Sequence, residues 1–345
     1  MCVFFNVLKP LLIFDTVNSK DYFSLQNALI VFQTLLRVIA QHSSPSVWVH
    51  NRIDDWWKIV VPETFQVAVA VWKLATNAEY RSVAHLFGVG ITTACDCDKD
   101  FCSSVETILL PEFIHMPNAE KLKELSLYFE QRWGLPQCVG AINGSHIPIL
   151  APQEFHREYF NRKGWYSIVL QAVVDGKGLF WNVFALWELA ERGKLLSQQF
   201  RNVSGQEVGH YIIGDAAYTL TSWLMKPFSD NGVLTQQQEV GNHKTSKARV
   251  VVEHAFGRLK GRWRCLLKHN DCNLEWVKSM VLTGCVLHNL CESHGEEFRE
   301  DISSRLCICT WLCLRSSSSC SIISLTRVRT LMSPLFLFPG RREDI

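Results

Sequence analysis

The chain has 345 residues, 48% of them hydrophobic and 11% aromatic, with 35 Lys and Arg against 33 Asp and Glu for a formal net charge of +2. That is enough apolar material for one large domain and a helical subdomain, while the near balance of charge excludes a protein that coats nucleic acid over its whole surface. Phosphate contacts would have to come from local clustering. The thirteen cysteines lack the paired Cys-x-x-Cys spacing of a zinc site, with Cys95, Cys97 and Cys102 coming nearest, and read as thiols of a reducing compartment.

Residues 1–25 read as an irregular N-terminus. The stretch Met1 to Phe14 is apolar but interrupted at Lys9-Pro10, lacks a basic leader and is too short to span a bilayer, so neither a secretory signal nor a membrane helix is expected. Residues 26–132 read as a helical subdomain. Within it Phe65 to Ala75 is apolar nearly all round, which predicts a core helix. Residues 79–103 follow the pattern short helix, glycine turn at Gly88, and Thr92-Thr93 opening a second helix, a helix-turn-helix signal that an ordinary helical hairpin explains about as often. Asp96, Asp98 and Asp100 on that second helix would be poor company for phosphates.

Residues 133–295 change character. Val139 to Ile142 is an apolar run that breaks at Asn143-Gly144, which puts a polar side chain at the mouth of a strand. Tyr166 to Val174 and Leu179 to Ala185 read as strands joined by Asp175-Gly176-Lys177-Gly178, a hairpin turn. His210 to Ile213 is a further strand, ended by Gly214-Asp215. From Ser246 to Arg264 the apolar residues Val252, Phe256, Leu259 and Trp263 recur at helical spacing. Glu253 stands beside that stripe, in line with Arg249, Gly257, Lys260 and Arg264, and is the only acid between Lys244 and Arg264 against seven Lys or Arg. Such a face suits a phosphate backbone. Beyond Asp301 no period is sustained, so residues 296–345 read as a poorly structured tail. Translation past the true domain in an imperfect gene prediction would explain it, and a transcript across the junction near Ser303 would settle the matter.

Polar-ended strand, antiparallel hairpin, acid-ended strand and Glu-bearing helix, in that order, resemble the ribonuclease-H-like fold of DDE transposases and integrases. The words narrow the likeness. Gly140-Ala-Ile-Asn143-Gly-Ser-His146-Ile-Pro-Ile149, Asn161-Arg162-Lys163-Gly164 before two aromatics and Ser167, Leu170-Gln171-Ala172-Val173, Gly214-Asp215-x-x-Tyr218, Val252-Glu253-x-Ala255-Phe256-Gly257 and Leu287-His288-Asn289 resemble Harbinger-type transposases and the host nucleases derived from them, from about Glu63 to Cys291. The resemblance implies an α/β fold: a ribonuclease-H-like mixed sheet flanked by helices, with an N-terminal helical, helix-turn-helix-like subdomain. It also implies two divalent ions, Mg2+ or Mn2+, that activate the attacking oxygen and stabilise the leaving one.

Carried over residue by residue, the catalytic and metal positions are Asn143, Asp215 and Glu253, and the family expects aspartate at the first. Asparagine offers one neutral oxygen where aspartate offers two anionic ones, so a nuclease weakened at this step is expected. A second departure is Leu186 to Lys194, where the family has a glycine-rich turn and a His-Asp pair. Asp175, Glu188 and Glu191 are the substitute carboxylates to weigh, although Asp175 has an ordinary role in an Asp-Gly turn. His146, Arg162, Lys163, Lys247, Arg249, Lys260, Arg262 and Arg264 are the candidate DNA contacts. Solvated surface is the plain alternative for the cations, and a structural histidine for His146. The resemblance further implies DNA as substrate, a separate Myb-like DNA-binding partner, no membrane, and a nuclear location with the cytoplasm as alternative. Two function classes follow: a metal-dependent DNA nuclease impaired at Asn143, and a catalytically inactive descendant that binds DNA or protein.

Overall fold

The computed structural model describes residues 63–153, 156–184, 196, 199–229, 232–270 and 272–293. The N-terminal stretch 1–25, the segment with Glu188 and Glu191, and the tail 296–345 lie outside the described residues. Helix α1 (Glu63–Thr76) is as apolar in place as in sequence, with Val69, Ala70, Leu74 and Ala75 fully buried. Helix α2 (Tyr80–Phe87) stops at Gly88, whose φ of 67° is the left-handed cap that glycine adopts without strain. Helix α3 (Ile91–Ser104) follows at once, and the Tyr80 hydroxyl donates to Asp98 across the pair at 2.6 Å. Burial raises the Asp98 carboxyl to about 6, so this aspartate is a core group and faces no solvent. A π-helical turn, Val105–Leu109, and a short turn, Leu110–Phe113, lead to α4 (Ala119–Trp133), capped by Asn118 accepting from the Lys121 N–H at 2.8 Å.

The strands are β1 (Cys138–Pro148), β2 (Ser167–Val174), β3 (Phe180–Val183), a small separate hairpin of β4 (Arg201–Val203) with β5 (Gln206–Val208), β6 (Tyr211–Ile213) and β7 (Leu224–Met225). The main sheet runs β3-β2-β1-β6-β7. Strand β2 is antiparallel to β1 and β3, whereas β6 is parallel to β1 and β7 to β6. This is the mixed, helix-flanked sheet of the ribonuclease-H-like fold. Asp175 closes the β2–β3 turn by accepting from the N–H groups of Lys177 at 2.8 Å and Leu179 at 2.9 Å, so its structural role is filled.

One strand differs from expectation. Strand β1 does not end at Asn143 but continues to Pro148, because β2 pairs with it all the way from Ala141↔Val174 to Pro148↔Ser167. The break is on the other side of β1, where the parallel pairing with β6 stops at Ala141↔Ile213.

Helix α5 (Gln236–Arg262) starts well before Ser246, at a capping box in which Thr235 and Gln238 exchange hydrogen bonds. Helix α6 (Leu274–Ser293) completes the fold. On one face of the sheet Ala141, Leu170, Ala172 and Ile213 pack with Ala248, Val252 and Ala255 of α5, in a core that continues into α1, α3 and α6. On the other face Val139, Ile142, Val173 and Ile212 lie under Leu122 and Leu125 of α4. The helical section and the sheet therefore share a core, and α4 lies on the sheet. The word Leu287-His288-Asn289 has a structural role. Asn289 accepts from the Phe180 N–H at 2.8 Å and donates to the carbonyls of Phe180 at 2.6 Å and Phe113 at 2.8 Å, covering the outer edge of β3. His288 Nε2 donates to the Gly178 carbonyl at 3.0 Å. No described helix is long and apolar enough to cross a membrane.

Candidate functional site

Parallel pairing brings the first two candidate segments together. Ala141 and Ile213 are register partners; Asn143 lies two residues further along β1, on the same face as Ala141, and Asp215 lies two residues past the end of β6, in the turn that follows. Both stand at the carboxyl end of the parallel pair, where β6 stops. The face of Ala141 is the one covered by α5, and Glu253 sits on α5 next to buried Val252. Tyr218 packs on the other face, against the cluster of Ile142 and Ile212. Its hydroxyl accepts from Gln171 Nε2 at 3.1 Å, and Gln171 is the register partner of Gly144, beside Asn143. Burial raises the Tyr218 phenol, and the charges of Asp215 and Arg249 both reach it, the first raising it and the second lowering it. Gly214 is required under the ring: a Cβ there would come 2.9 Å from Tyr218 and 3.1 Å from Ile142.

Each candidate ligand already has a partner. Asn143 Oδ1 accepts from the Gly144 N–H at 2.8 Å. Asp215 Oδ1 accepts from the Ala217 N–H at 2.9 Å, capping its own turn. Glu253 is ion-paired with Arg249, one helical turn earlier, at 2.8 Å.

The candidate DNA contacts separate into two sets. Arg262 is buried, donating to Glu292 at 2.6 Å, while Arg258 reaches the same carboxylate at 3.1 Å. This pair of ion pairs fastens α5 to α6, and Arg262 has no surface to offer a phosphate. Arg264 is half-buried, and Lys247 is exposed on α5. His146, Lys163 and Lys260 come together. Lys260 Nζ donates to the His146 carbonyl at 2.6 Å, an edge of β1 left bare once β6 has ended. Burial and then Lys163 push the Lys260 ammonium down to about 8, and burial, Lys163 and Lys260 lower His146. Arg162 and Lys163 are exposed on the adjoining loop.

Residues 142–289 match the sequence profile of the DDE superfamily endonuclease family. The chain is 28% identical over 261 residues to the Arabidopsis thaliana protein named antagonist of like heterochromatin protein 1, covering 69% of this chain and 64% of that one. It is 29% identical over 249 residues to the Bos taurus protein that carries the name nuclease HARBI1, covering 69% of each. This region belongs to the Harbinger-type DDE family. A second Arabidopsis thaliana relative, ALP1-like, is 28% identical over 250 residues, and 59% of its length is matched. The chain thus spans less than two thirds of the length of these two plant relatives. No solved structure matches it.

DDE endonucleases of this family work with divalent metals, which makes the donor set of the Harbinger-type region testable. The residues present do not fit a pair of cations. Two carboxylates and one neutral amide replace three carboxylates, the amide oxygen is engaged by Gly144 and Glu253 is held by Arg249. Among the described residues no group of three His, Cys, Asp or Glu side chains converges as a metal site, so no described carboxylate stands in; Glu188 and Glu191 lie outside the described residues. Sequence reasoning passed over Gln171 and the buried Ser167 as site residues. Tyr218 was visible only as a letter in a word, since its partner Gln171 lies far away in the chain.

Proposed function

We propose that this protein is a transposase-derived DDE-family protein that engages DNA and whose own phosphodiester hydrolysis is impaired by Asn143. The observation that carries this is that β1, which bears Asn143, pairs in parallel with β6, which leads into Asp215, in a sheet packed against the helix of Glu253, with a neutral residue where the chemistry needs an anionic one. Asp215 and Glu253 are the remaining candidate metal ligands, and Mg2+ or Mn2+ the candidate ions. The exposed cations Arg162, Lys163 and Lys247 and the half-buried Lys260 are the candidate DNA contacts. The test is a cleavage assay on supercoiled and linear DNA with Mg2+ or Mn2+, comparing the natural chain with Asn143→Asp. Cleavage by the aspartate variant alone is expected; equally robust cleavage by the natural chain refutes the impairment.

The second reading, a fold kept only for binding, draws support from the Arg249–Glu253 ion pair, which meets the charge of Glu253 without any metal. On this reading Asn143→Asp also fails to cleave, while DNA binding persists in EDTA. A relative is named as an antagonist of a heterochromatin protein, which makes a chromatin protein a candidate partner alongside a Myb-like DNA-binding one. Residence in the nucleus follows from such a substrate and is checked by imaging the tagged full chain.

A further inference from the structure

The hydrogen bonds behind His146 determine which of its ring nitrogens carries the proton. Asn161 Oδ1 accepts from the N–H groups of Lys163 at 2.9 Å and Trp165 at 3.4 Å, which fixes its amide so that Nδ2 is the donor to Ser167 Oγ at 2.9 Å. Ser167 is buried, so its own hydroxyl hydrogen needs an acceptor, and His146 Nδ1 stands 2.9 Å away. Nδ1 therefore accepts and Nε2 carries the hydrogen in the neutral ring. The Trp165 ring meets the imidazole edge-on at 5.6 Å and further holds its orientation. Two ammonium groups act on this histidine: Lys260, anchored on the His146 carbonyl, and Lys163, on the loop that Asn161 shapes. Among the described residues the charges that act on His146 and Lys260 are all positive.

We propose, resting on the DNA-engaging reading above, that the His146 Nε2–H, Lys163 and Lys260 form a binding site for one phosphate group, separate from the acidic pair. The His146 Nε2–H and the Lys163 ammonium have no acceptor among the described residues, and Lys260 keeps two N–H groups beyond the one given to the His146 carbonyl; such donors, the neutral one stiffened by a relay, form a site for an anion. Three residues of strand separate His146 from Asn143, about 10 Å along β1. The odd offset also turns the two side chains to opposite faces of β1, so a phosphate here is a different one from any lying at Asp215. Lys163 and Lys260 supply the charge, and His146 supplies direction.

The two kinds of donor leave different marks. In a fluorescence titration of the full chain with a labelled duplex across a series of NaCl concentrations, Lys163→Gln should lower the slope of log K against log salt by about 0.9, one phosphate contact. His146→Ala should weaken binding roughly fivefold with the slope unchanged, because a neutral donor displaces no counterion. Lys123→Gln, on the exposed far side of α4, is the control and should change neither. Inorganic phosphate, titrated alone with 31P line broadening as the readout, distinguishes the source. Broadening abolished by His146→Ala without any duplex binding assigns the site to a free phosphate and sinks the DNA reading alone. If Lys163→Gln and His146→Ala behave like Lys123→Gln toward both probes, the site does not exist. None of these readouts depends on cleavage, so a failure of Asn143→Asp to cut leaves the outcome intact.

Discussion

Replacing Asn143 by aspartate is the perturbation that tests the site most directly, because its sign reverses with metal. Neighbouring strands lie about 5 Å apart, and at that distance two carboxylates repel by about 0.8 kcal/mol in water and about 3 kcal/mol at an effective dielectric near 20. Asn143 and Asp215 are both half-exposed, so about 1 kcal/mol is the better figure, partly offset by a stronger bond from the Gly144 N–H to an anionic oxygen. Without metal the variant should melt roughly 2–4 °C below the natural chain. Outer-shell partners of metal sites are worth 10- to 100-fold in affinity, and a restored direct ligand should gain at least that, about 1.4–2.7 kcal/mol. With Mn2+ at about a hundred times its dissociation constant, the variant should recover roughly 2.7 kcal/mol and melt above the natural chain. Scanning calorimetry with and without Mn2+, paired with Mn2+ titration calorimetry, reads both effects. Identical melting and metal response in the two chains would mean that residues 143 and 215 do not face a common site.

His288 is buried and its imidazole is depressed from 6.5 to about 3, first by burial and then by Arg262. A depressed histidine gives its full stability above the unfolded value and loses it as pH falls, at up to roughly 1.4 kcal/mol per pH unit between 6.5 and 3. Urea unfolding at pH 7.5, 5.5 and 4.5 should show a steeper acid loss for the natural chain than for His288→Gln, and parallel losses would remove His288 as the cause. Asn289→Ala strips three hydrogen bonds from the β3 edge and should cost about 3 kcal/mol or more, read from the urea midpoint; a cost below 1 kcal/mol would mean water replaces them. Arg262→Gln breaks a buried ion pair and should destabilise by roughly 3 kcal/mol while leaving the salt slope of DNA binding unchanged. A slope lowered by about one would place Arg262 on a phosphate after all.

The strands were legible where an apolar run and its partner coincide, as in the β2–β3 hairpin and in β6. Strand β1 outran its apolar run because Asn143 to His146 are polar yet still paired by β2, and pairing, not hydrophobicity, carries a half-exposed strand onward. Helix α5 was legible only from its buried stripe. Its first two turns are polar all round, and they are held by the Thr235 cap and by Asn242, which exchanges hydrogen bonds with the Phe228 backbone at 2.8 and 3.0 Å. Arg262 looked like a surface cation because Lys260 and Arg264 flank it. A helix turns 100° per residue, however, and that rotation carries 262 to the side of Leu259 and toward Glu292, a partner 30 positions away that no local window contains.

Asn143 and the Arg249–Glu253 pair change the charge in the same direction. In an all-carboxylate site, three negative charges repel the phosphodiester until metals screen them. Here Asn143 removes one charge, and Arg249 places a cation against Glu253. On the binding reading proposed above, a backbone phosphate would meet less repulsion here. The Arg249–Glu253 pair was visible as an i,i+4 spacing, but on an exposed helix such a pair is worth only about 0.5 kcal/mol. It gains significance only beside Asn143, and that neighbourhood depends on β6 running parallel to β1, a pairing of residues far apart in sequence. The sequence words could say which residues occupy the family's positions. Only the register shows that the strand of Asn143 runs beside the one that leads into Asp215, under the helix that carries Glu253 and Arg249.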